Sequence, residues 1–476
     1  MPSVSPTRWL ALPFAALATA LILAAVFLSY QPRPGLGWLH QLTIWVVVGL
    51  SAIGAIVGYR RVLASTDDAA LRRLLMLGAI PLWAIAMLAE PFDSLDLGGY
   101  LNNGRLPVVY GLNPYVTPVD RVPNWQSDPL LLGTWHDTVC AYGFLFARLA
   151  AAVVAMAGED RALTYLLFKL VNVAALAMTV WLVNIGCRQA GVSRSVGIFL
   201  VAWNPLILLH GLSNGHNDLL VGLGLLTALV AASSRLWWAV MPALAATALI
   251  KYSTVPLFPL AVLFLYRRHG ILRTVAGTSL AAGLVFVVSR PYLADGGALE
   301  VTRNFSNVTQ FLNSIGSVIV IPLQAIGKNN PAVAVIANTV ASGLKLAGGL
   351  LLIGLVGSLC WRRWRSPDYT AAQFIRDAVL VQFAMIVFAS SKFFGWYLLM
   401  FWPAIALLPE ASRLRRTALA VGLGQLGSFT FLARAHIVSP LVLIVLPLQL
   451  ARRFEHRDRV EQRTLPFPAA LESKAA

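Results

Sequence analysis

Charge is scarce in this 476-residue chain: Asp, Glu, Lys and Arg make up 12% of it against 58% apolar residues, and acidic residues are outnumbered 20 to 37 by basic ones. A soluble domain needs a far more charged surface, so this composition excludes one and defines a polytopic membrane protein. Cysteine is nearly absent. Cys140, Cys187 and Cys360 lie far apart, which excludes a disulfide framework and a metal-spaced set and leaves them as packing residues. The sequence also lacks internal repeats and any Gly/Ser linker that would mark a separate soluble domain. The formal net charge of +17 does not indicate nucleic acid, because the Arg residues form short clusters between apolar runs: Arg60-Arg61, Arg72-Arg73, Arg188 with Arg194, Arg267-Arg268, Arg362-Arg363 with Arg365, Arg415-Arg416 and Arg452-Arg453. That is the positive-inside pattern of membrane topology, with contact to anionic lipid.

What the chain has in quantity is long apolar runs. Trp9 to Leu28, Leu39 to Val57, Ala162 to Val183 and Leu346 to Cys360 are of the order that crosses a hydrocarbon layer of ~30 Å. The first run follows Arg8, is long for a signal peptide and has no small-x-small site after it, so it reads as a retained span. Placing each Arg cluster in the cytoplasm predicts spans near residues 9–29, 38–58, 74–90, 162–185, 195–210, 217–233, 236–250, 252–266, 273–290, 340–360, 372–390, 395–409, 415–432 and 437–451. That is about fourteen crossings in a single integral membrane domain over residues 1–451, with both termini cytoplasmic and a cytoplasmic tail over 452–476. Two extracytoplasmic loops follow, one over about 91–141 and one over about 291–338. Tyr142 to Met156 is too short for a crossing and reads as a juxtamembrane or re-entrant helix. Ala294 to Asn330 is expected to hold a short helix around Val301 to Asn313 and a re-entrant stretch from Ser314 to Ala325.

This topology gathers the unusual polar residues on one face: Asp93, Asp96, Arg105, Asn113, His210, Asn214, His216, Asp218, Lys251, Arg290, Arg303 and Lys392. The stretch EPFDSLDLGGYLNNGRLPVVYGLNPY, Glu90 to Tyr115, puts two carboxylates where a span opens into a polar loop. Asp96, with Asp93 behind it, is a candidate general base at the membrane–water boundary; the plainer alternative is a helix cap. Asn214-Gly215-His216-Asn217-Asp218 follows Trp203-Asn204-Pro205-Leu206 and opens a helix whose amides favour anions. Its plainer reading is an Asp218 N-cap beside an interfacial His. Lys251 falls in a tight turn between apolar runs and is the first choice for a lipid phosphate, with Arg290, Lys392 and Arg303 after it; each cation is equally explained by snorkelling to headgroups. Trp396 and Tyr397 line a lipid groove or form an aromatic belt.

The order Asp96, Tyr100, Gly104-Arg105, Gly111, Asn113-Pro114-Tyr115 resembles the first large extracytoplasmic loop of polyprenyl-phosphate-sugar-dependent glycosyltransferases of the GT-C type. Within that class it looks most like the actinobacterial-type membrane α-mannosyltransferases that build envelope lipoglycans. Trp203 to Asp218 and Lys392-Phe393-Phe394-Gly395-Trp396-Tyr397 continue the likeness, which covers most of residues 80–410. The resemblance implies an all-α, GT-C-like bundle of about 14 transmembrane helices with outer-face juxtamembrane helices. It also implies inverting transfer of a hexose, mannose foremost, from a polyprenyl-phosphate sugar to a glycan or glycolipid acceptor, with membrane lipids as the other partner.

In that reading Asp96 is the base. Tyr100, Arg105, Asn113, Tyr115, Asn214, His216, Asn217, Asp218, Trp396 and Tyr397 bind substrate or form scaffold. No cofactor is expected, and no metal site, although Asp93 and Asp96 leave room for a weakly held divalent cation. One departure is Asn103, where such proteins commonly carry an acidic residue before Gly-Arg. The rivals are a transporter or flippase of lipid-linked sugars, and a ligase using an oligosaccharide on a lipid diphosphate.

Overall fold

The structure is a computed structural model that describes residues 6–28, 37–293, 296, 310–429, 438–449 and 452. Among these residues it is helical throughout, with isolated bridges in place of strands. The chain opens with α1 (Pro6–Phe27), α2 (Gly37–Leu63) and α3 (Ala69–Leu88), continues through α4 (Asp96–Val109), α5 (Phe144–Ala157), α6 (Arg161–Ala190) and α7 (Arg194–Ala202), and then runs through α8 (Asp218–Ala232), α9 (Trp237–Ala248), α10 (Phe258–His269) and α11 (Ile271–Leu293). After the undescribed stretch come α12 (Ser317–Gly327), α13 (Pro331–Arg365) and α14 (Ala371–Ala384).

Seven helical segments among the described residues are long and apolar enough to cross a membrane: α1, α2, α3, α6, α11, α13, and α14 with the π-helical turn that extends it to Ala389. A bent pair raises the number to eight. The fourteen segments expected from the sequence overstate the spans of full length. α8 and α9 have only 15 and 12 residues, and 12 residues reach about 18 Å. The segment expected at 252–266 is a 3₁₀ turn, Tyr252–Leu257, followed by α10, and the one at 395–409 is two short turns, Gly395–Met400 and Trp402–Ile405. The expected re-entrant stretch becomes α12, and α13 starts earlier than expected. The helix expected from Val301 falls mostly, and the tail after 452 wholly, outside the described residues.

Local chemistry sets the helix limits. Asp68 and Asp160 cap α3 and α6 by accepting from the Leu71 amide at 2.7 Å and the Leu163 amide at 2.9 Å. Asn330 caps α13, with Pro331 in the first turn, where its missing N–H costs nothing. α7 stops because Pro205 cannot donate, and Asn204 Oδ1 instead accepts from the Leu206 amide at 2.8 Å. The chain turns by 51° there and continues as a π-helical turn, Ile207–Ser213, a geometry frequent at functional sites.

Lipid tails are as apolar as Leu, so close packing and hydrogen bonds hold such helices together. The indoles of Trp203 and Trp402 donate to the carbonyls of Leu75 and Leu200, each at 2.8 Å, and tie α7 to its neighbours. Gly222 lets α8 meet the Gly395–Met400 turn: a Cβ there would lie 2.4 Å from the Leu399 carbonyl oxygen.

α3 has polar groups at both ends. At its start Asp67 pairs with Arg72 at 2.8 Å and accepts from the Arg194 amide and the Ser195 hydroxyl. At its finish the chain enters the segment of Asp93 and Asp96. Twenty helical residues put those two regions about 30 Å apart.

Candidate active site

Asp96 is the first residue of α4, and its carboxylate does not cap the helix. Ser94 Oγ takes the Asp96 amide at 3.1 Å, while Asp96 Oδ2 lies 3.1 Å from His216 Nδ1. The N-cap alternative for this residue therefore does not describe the structure. Burial pushes the Asp96 carboxyl up, but His216, Lys251 and Ser94 outweigh it, so its pKa lies below the ordinary carboxylate value. Asp93 faces a different ring, His210 Nδ1, at 3.9 Å.

His216 is held by packing and by its backbone. Its ring lies flat on Trp396 (centroids 4.1 Å apart, planes 12° apart), and Trp396 stacks on Phe394 at 4.4 Å. The His216 amide donates to the His210 carbonyl at 3.1 Å, and its carbonyl accepts from Asn172 Nδ2 at 3.1 Å. Gly215, with φ of +73°, supplies the left-handed turn that brings His216 round. Asn214 Oδ1 accepts from the Phe92 amide at 2.8 Å and the Asp93 amide at 3.2 Å. The π-helical turn and the strand of residues after it thus grip the segment that launches α4.

Asp218 also declines the capping role. Asn217 holds the N-cap position without a side-chain cap, and Asp218 Oδ1 lies 2.7 Å from Lys251 Nζ. Lys251 stands 4.5 Å from the centre of the Tyr397 ring. Burial pushes the Lys251 ammonium down, but Asp218 and then Tyr397 outweigh it, so it stays charged with its pKa raised. Its backbone is set by α5, whose first amides reach back to α9: the Gly143 amide donates to the Ile250 carbonyl at 2.9 Å and the Leu145 amide to the Leu249 carbonyl at 2.8 Å. Tyr100 joins the two halves, its hydroxyl accepting from the Asn217 amide at 3.2 Å.

The structure thus brings together Asp93, Asp96, Tyr100, Asn214, His216, Asn217, Asp218, Lys251, Trp396 and Tyr397. Other candidates stand apart. Arg105 is buried in a network of its own, 2.7 Å from Asp128 Oδ2 and bidentate to Glu159 at 2.9 and 3.1 Å. Asn113 accepts from the Tyr115 amide and donates to the Tyr292 carbonyl, and Tyr115 is fully buried between Phe144 and Tyr292 with its hydroxyl on the Tyr142 carbonyl. These are loop-folding contacts. Lys392 reaches Gln310 Oε1 at 3.1 Å, Arg290 is exposed in the last turn of α11, and Arg303 lies outside the described residues. Among the described residues no group of three His, Cys, Asp or Glu gathers as a metal set.

Sequence reasoning passed over Lys169 and Asn172, both buried on α6. Lys169 Nζ donates to the Met87 and Ala89 carbonyls at the end of α3. Asn172 Nδ2 donates to Gly211 as well as to His216. A Lys inside so apolar a run is costly unless it has a task, and that was the signal available.

Fold and site together define a multi-span helical membrane protein with an acid–imidazole pair and an acid–ammonium pair buried at one end of its bundle. Residues 10–267 match the profile described as "Alpha-(1->6)-mannopyranosyltransferase, N-terminal domain", and the chain belongs to that family, the MptA_B family. Among curated proteins it is similar to the alpha-(1->6)-mannopyranosyltransferase A of Mycobacterium tuberculosis, 30% identical over 195 residues, which is 40% of this chain and 36% of that one. It is also similar to the alpha-(1->6)-mannopyranosyltransferase A of Corynebacterium glutamicum, 27% identical over 221 residues, 43% of this chain and 42% of the relative. The matched stretches therefore span less than half of those relatives' length. No solved structure matches this chain.

Proposed function

We propose that this protein is an inverting hexosyltransferase, with mannose as the sugar, that takes its donor as a polyprenyl-phosphate sugar and serves a glycan or glycolipid acceptor on the extracytoplasmic face. The observation that carries this reading is the Asp96 carboxylate, 3.1 Å from His216 Nδ1, in the same buried cluster as the Lys251 side chain. Asp96 takes the proton of the acceptor hydroxyl as that oxygen bonds to C1 of the sugar. The C1–O bond to phosphate breaks, its electron pair leaves with the polyprenyl phosphate, and Lys251 stabilises the growing negative charge. Inversion that ends in an α linkage, the linkage in the relatives' names, calls for a β-linked donor.

The test is transfer of label from polyprenyl-phosphate mannose to short mannosides by the protein in nanodiscs, with Asp96→Asn alongside. Transfer by the wild type and a loss of about 10²- to 10⁴-fold in the variant supports the base. Undiminished transfer by the variant removes Asp96 from the chemistry. Movement of labelled lipid sugar across vesicles without glycosylated product would assign transport instead.

A further inference from the structure

Asp96 is useful as a base only if its carboxylate is aimed, and His216 is built to aim it. The ring is fully buried, stacked on Trp396 with Phe394 behind, and its backbone is pinned on both sides by His210 and Asn172. An imidazole so confined keeps one rotamer, which makes its Nδ1 a fixed point. That atom lies 3.1 Å from Asp96 Oδ2. The other ring nitrogen, Nε2, is buried and has no hydrogen-bond partner among the described residues, so the ring's one polar engagement is with Asp96. Asp96 keeps 17% of its side chain exposed, enough for a hydroxyl to approach the carboxylate.

We propose, building on the transfer reading above, that His216 is the positioning residue for Asp96: an imidazole that donates Nδ1–H to Oδ2 and fixes the carboxylate's rotation. The acceptor proton goes to the other carboxylate oxygen, and none passes to the ring. The stack on Trp396 is the backstop that prevents the imidazole from following the carboxylate if it turns. The other ionisable groups within electrostatic reach of Asp96 are Lys251 from its turn, Tyr100 on α4, Tyr142 before α5 and Tyr397 in the Gly395–Met400 turn. The pair of Asp93 and His210 lies next to them, and Asp218 sits behind Lys251. Lys251 shares the task of keeping Asp96 ionised, but among these groups His216 contributes most.

Two substitutions separate the ring from its N–H. His216→Phe keeps a flat ring against Trp396 and removes the donor; His216→Asn keeps a donor near the position of Nδ1 and removes the stack. The protein in nanodiscs is assayed with radiolabelled polyprenyl-phosphate mannose and a short mannoside across pH, with thermal midpoints measured in parallel. Positioning predicts that His216→Phe lowers kcat by about 10- to 100-fold, short of the loss of the base itself. It also predicts that the acidic limb of kcat/KM moves to higher pH, because a carboxylate without its donor holds its proton longer. His216→Asn should restore the limb. Wild-type kcat and an unmoved limb in a folded His216→Phe protein overturn the proposal while leaving the base reading intact. Full activity of Asp96→Asn in the same series overturns that reading, and positioning with it. If His216→Phe does not fold, the Asn and Ala variants are compared: the limb kept by Asn and moved by Ala supports donation, and the two behaving alike overturns it.

Discussion

Lys251 Nζ lies 2.7 Å from Asp218 Oδ1, and the Asp218 side chain is 1% exposed, so the cation assigned to the donor phosphate already answers to a buried carboxylate. Removing one member of such a pair strands the other. Asp218→Asn should therefore cost about 3 kcal/mol, the low end for a broken buried pair because Lys251 retains some exposure. Asp218→Leu with Lys251→Met should recover most of that loss while abolishing transfer. Thermal midpoints of the two single variants and the double variant in detergent decide it: a double variant that falls by the sum of the singles shows that the two side chains are not coupled.

Gly215 tests how tightly the turn controls the proposed base. Its φ of +73° disfavours any side chain, and a Cβ there would lie 2.8 Å from Leu97 Cδ2, on the residue next to Asp96. Gly215→Ala is expected to cost about 1–3 kcal/mol in backbone strain and to lower kcat by moving α4. Adding Leu97→Ala should return part of the activity and none of the strain. Turnover and thermal midpoint of the single and double variants separate the two effects.

The Arg105 network should make the loop acid-sensitive. Burial pulls the Asp128 carboxyl up, but hydrogen bonds from Arg105, Tyr110 and the Leu130 amide prevail and leave its pKa below the ordinary value. A carboxyl lowered on folding adds stability that is complete above the unfolded pKa, near 4, and is lost as pH falls through the folded value. Limited proteolysis between residues 110 and 140 should therefore accelerate only under strong acid in the wild type, and already at neutral pH in Asp128→Asn. Equal cutting of the two proteins at neutral pH would count against the network.

Lys169→Met removes the donor that closes the end of α3. Two carbonyls lose their partner directly before the Asp93 segment, at about 1–3 kcal/mol for each one left unsatisfied. Transfer should fall further than the thermal midpoint suggests, because the loosened segment carries the proposed base. Hydrogen exchange at Glu90 to Asp96, faster in the variant, is the direct readout.

Much of this was legible in the sequence. Asp96, His216, Asp218 and Lys251 are separated by up to 155 positions, yet each interrupts an apolar context, and a polar residue at membrane depth is costly enough to stand out. What stood out was position, and partnership was hidden. The sequence offered Asp96 and Asp218 as caps as well as site residues, because local propensity does not record that His216 and Lys251 lie across the fold. Tyr115 and Arg105 were grouped with the site, as substrate-binding or scaffold residues, by a family resemblance, whereas their contacts are structural: Tyr115 packs between Phe144 and Tyr292, and Arg105 pairs with Asp128 and Glu159. Span counting exceeds the long helices among the described residues for a related reason. The Gly395–Met400 and Trp402–Ile405 turns are as apolar as a membrane helix, but they are buried by other helices and need neither its length nor its regularity.

The length of α3 has a logistic consequence. About 30 Å of helix lies between Asp67, tied to Arg72 and Ser195, and the segment of Asp96, so under the proposed topology the candidate site and the basic end of α3 would face different compartments. With the proposed lipid-linked donor, the carrier would have to change sides first, and the pace of synthesis would follow the traffic of that carrier through the bilayer.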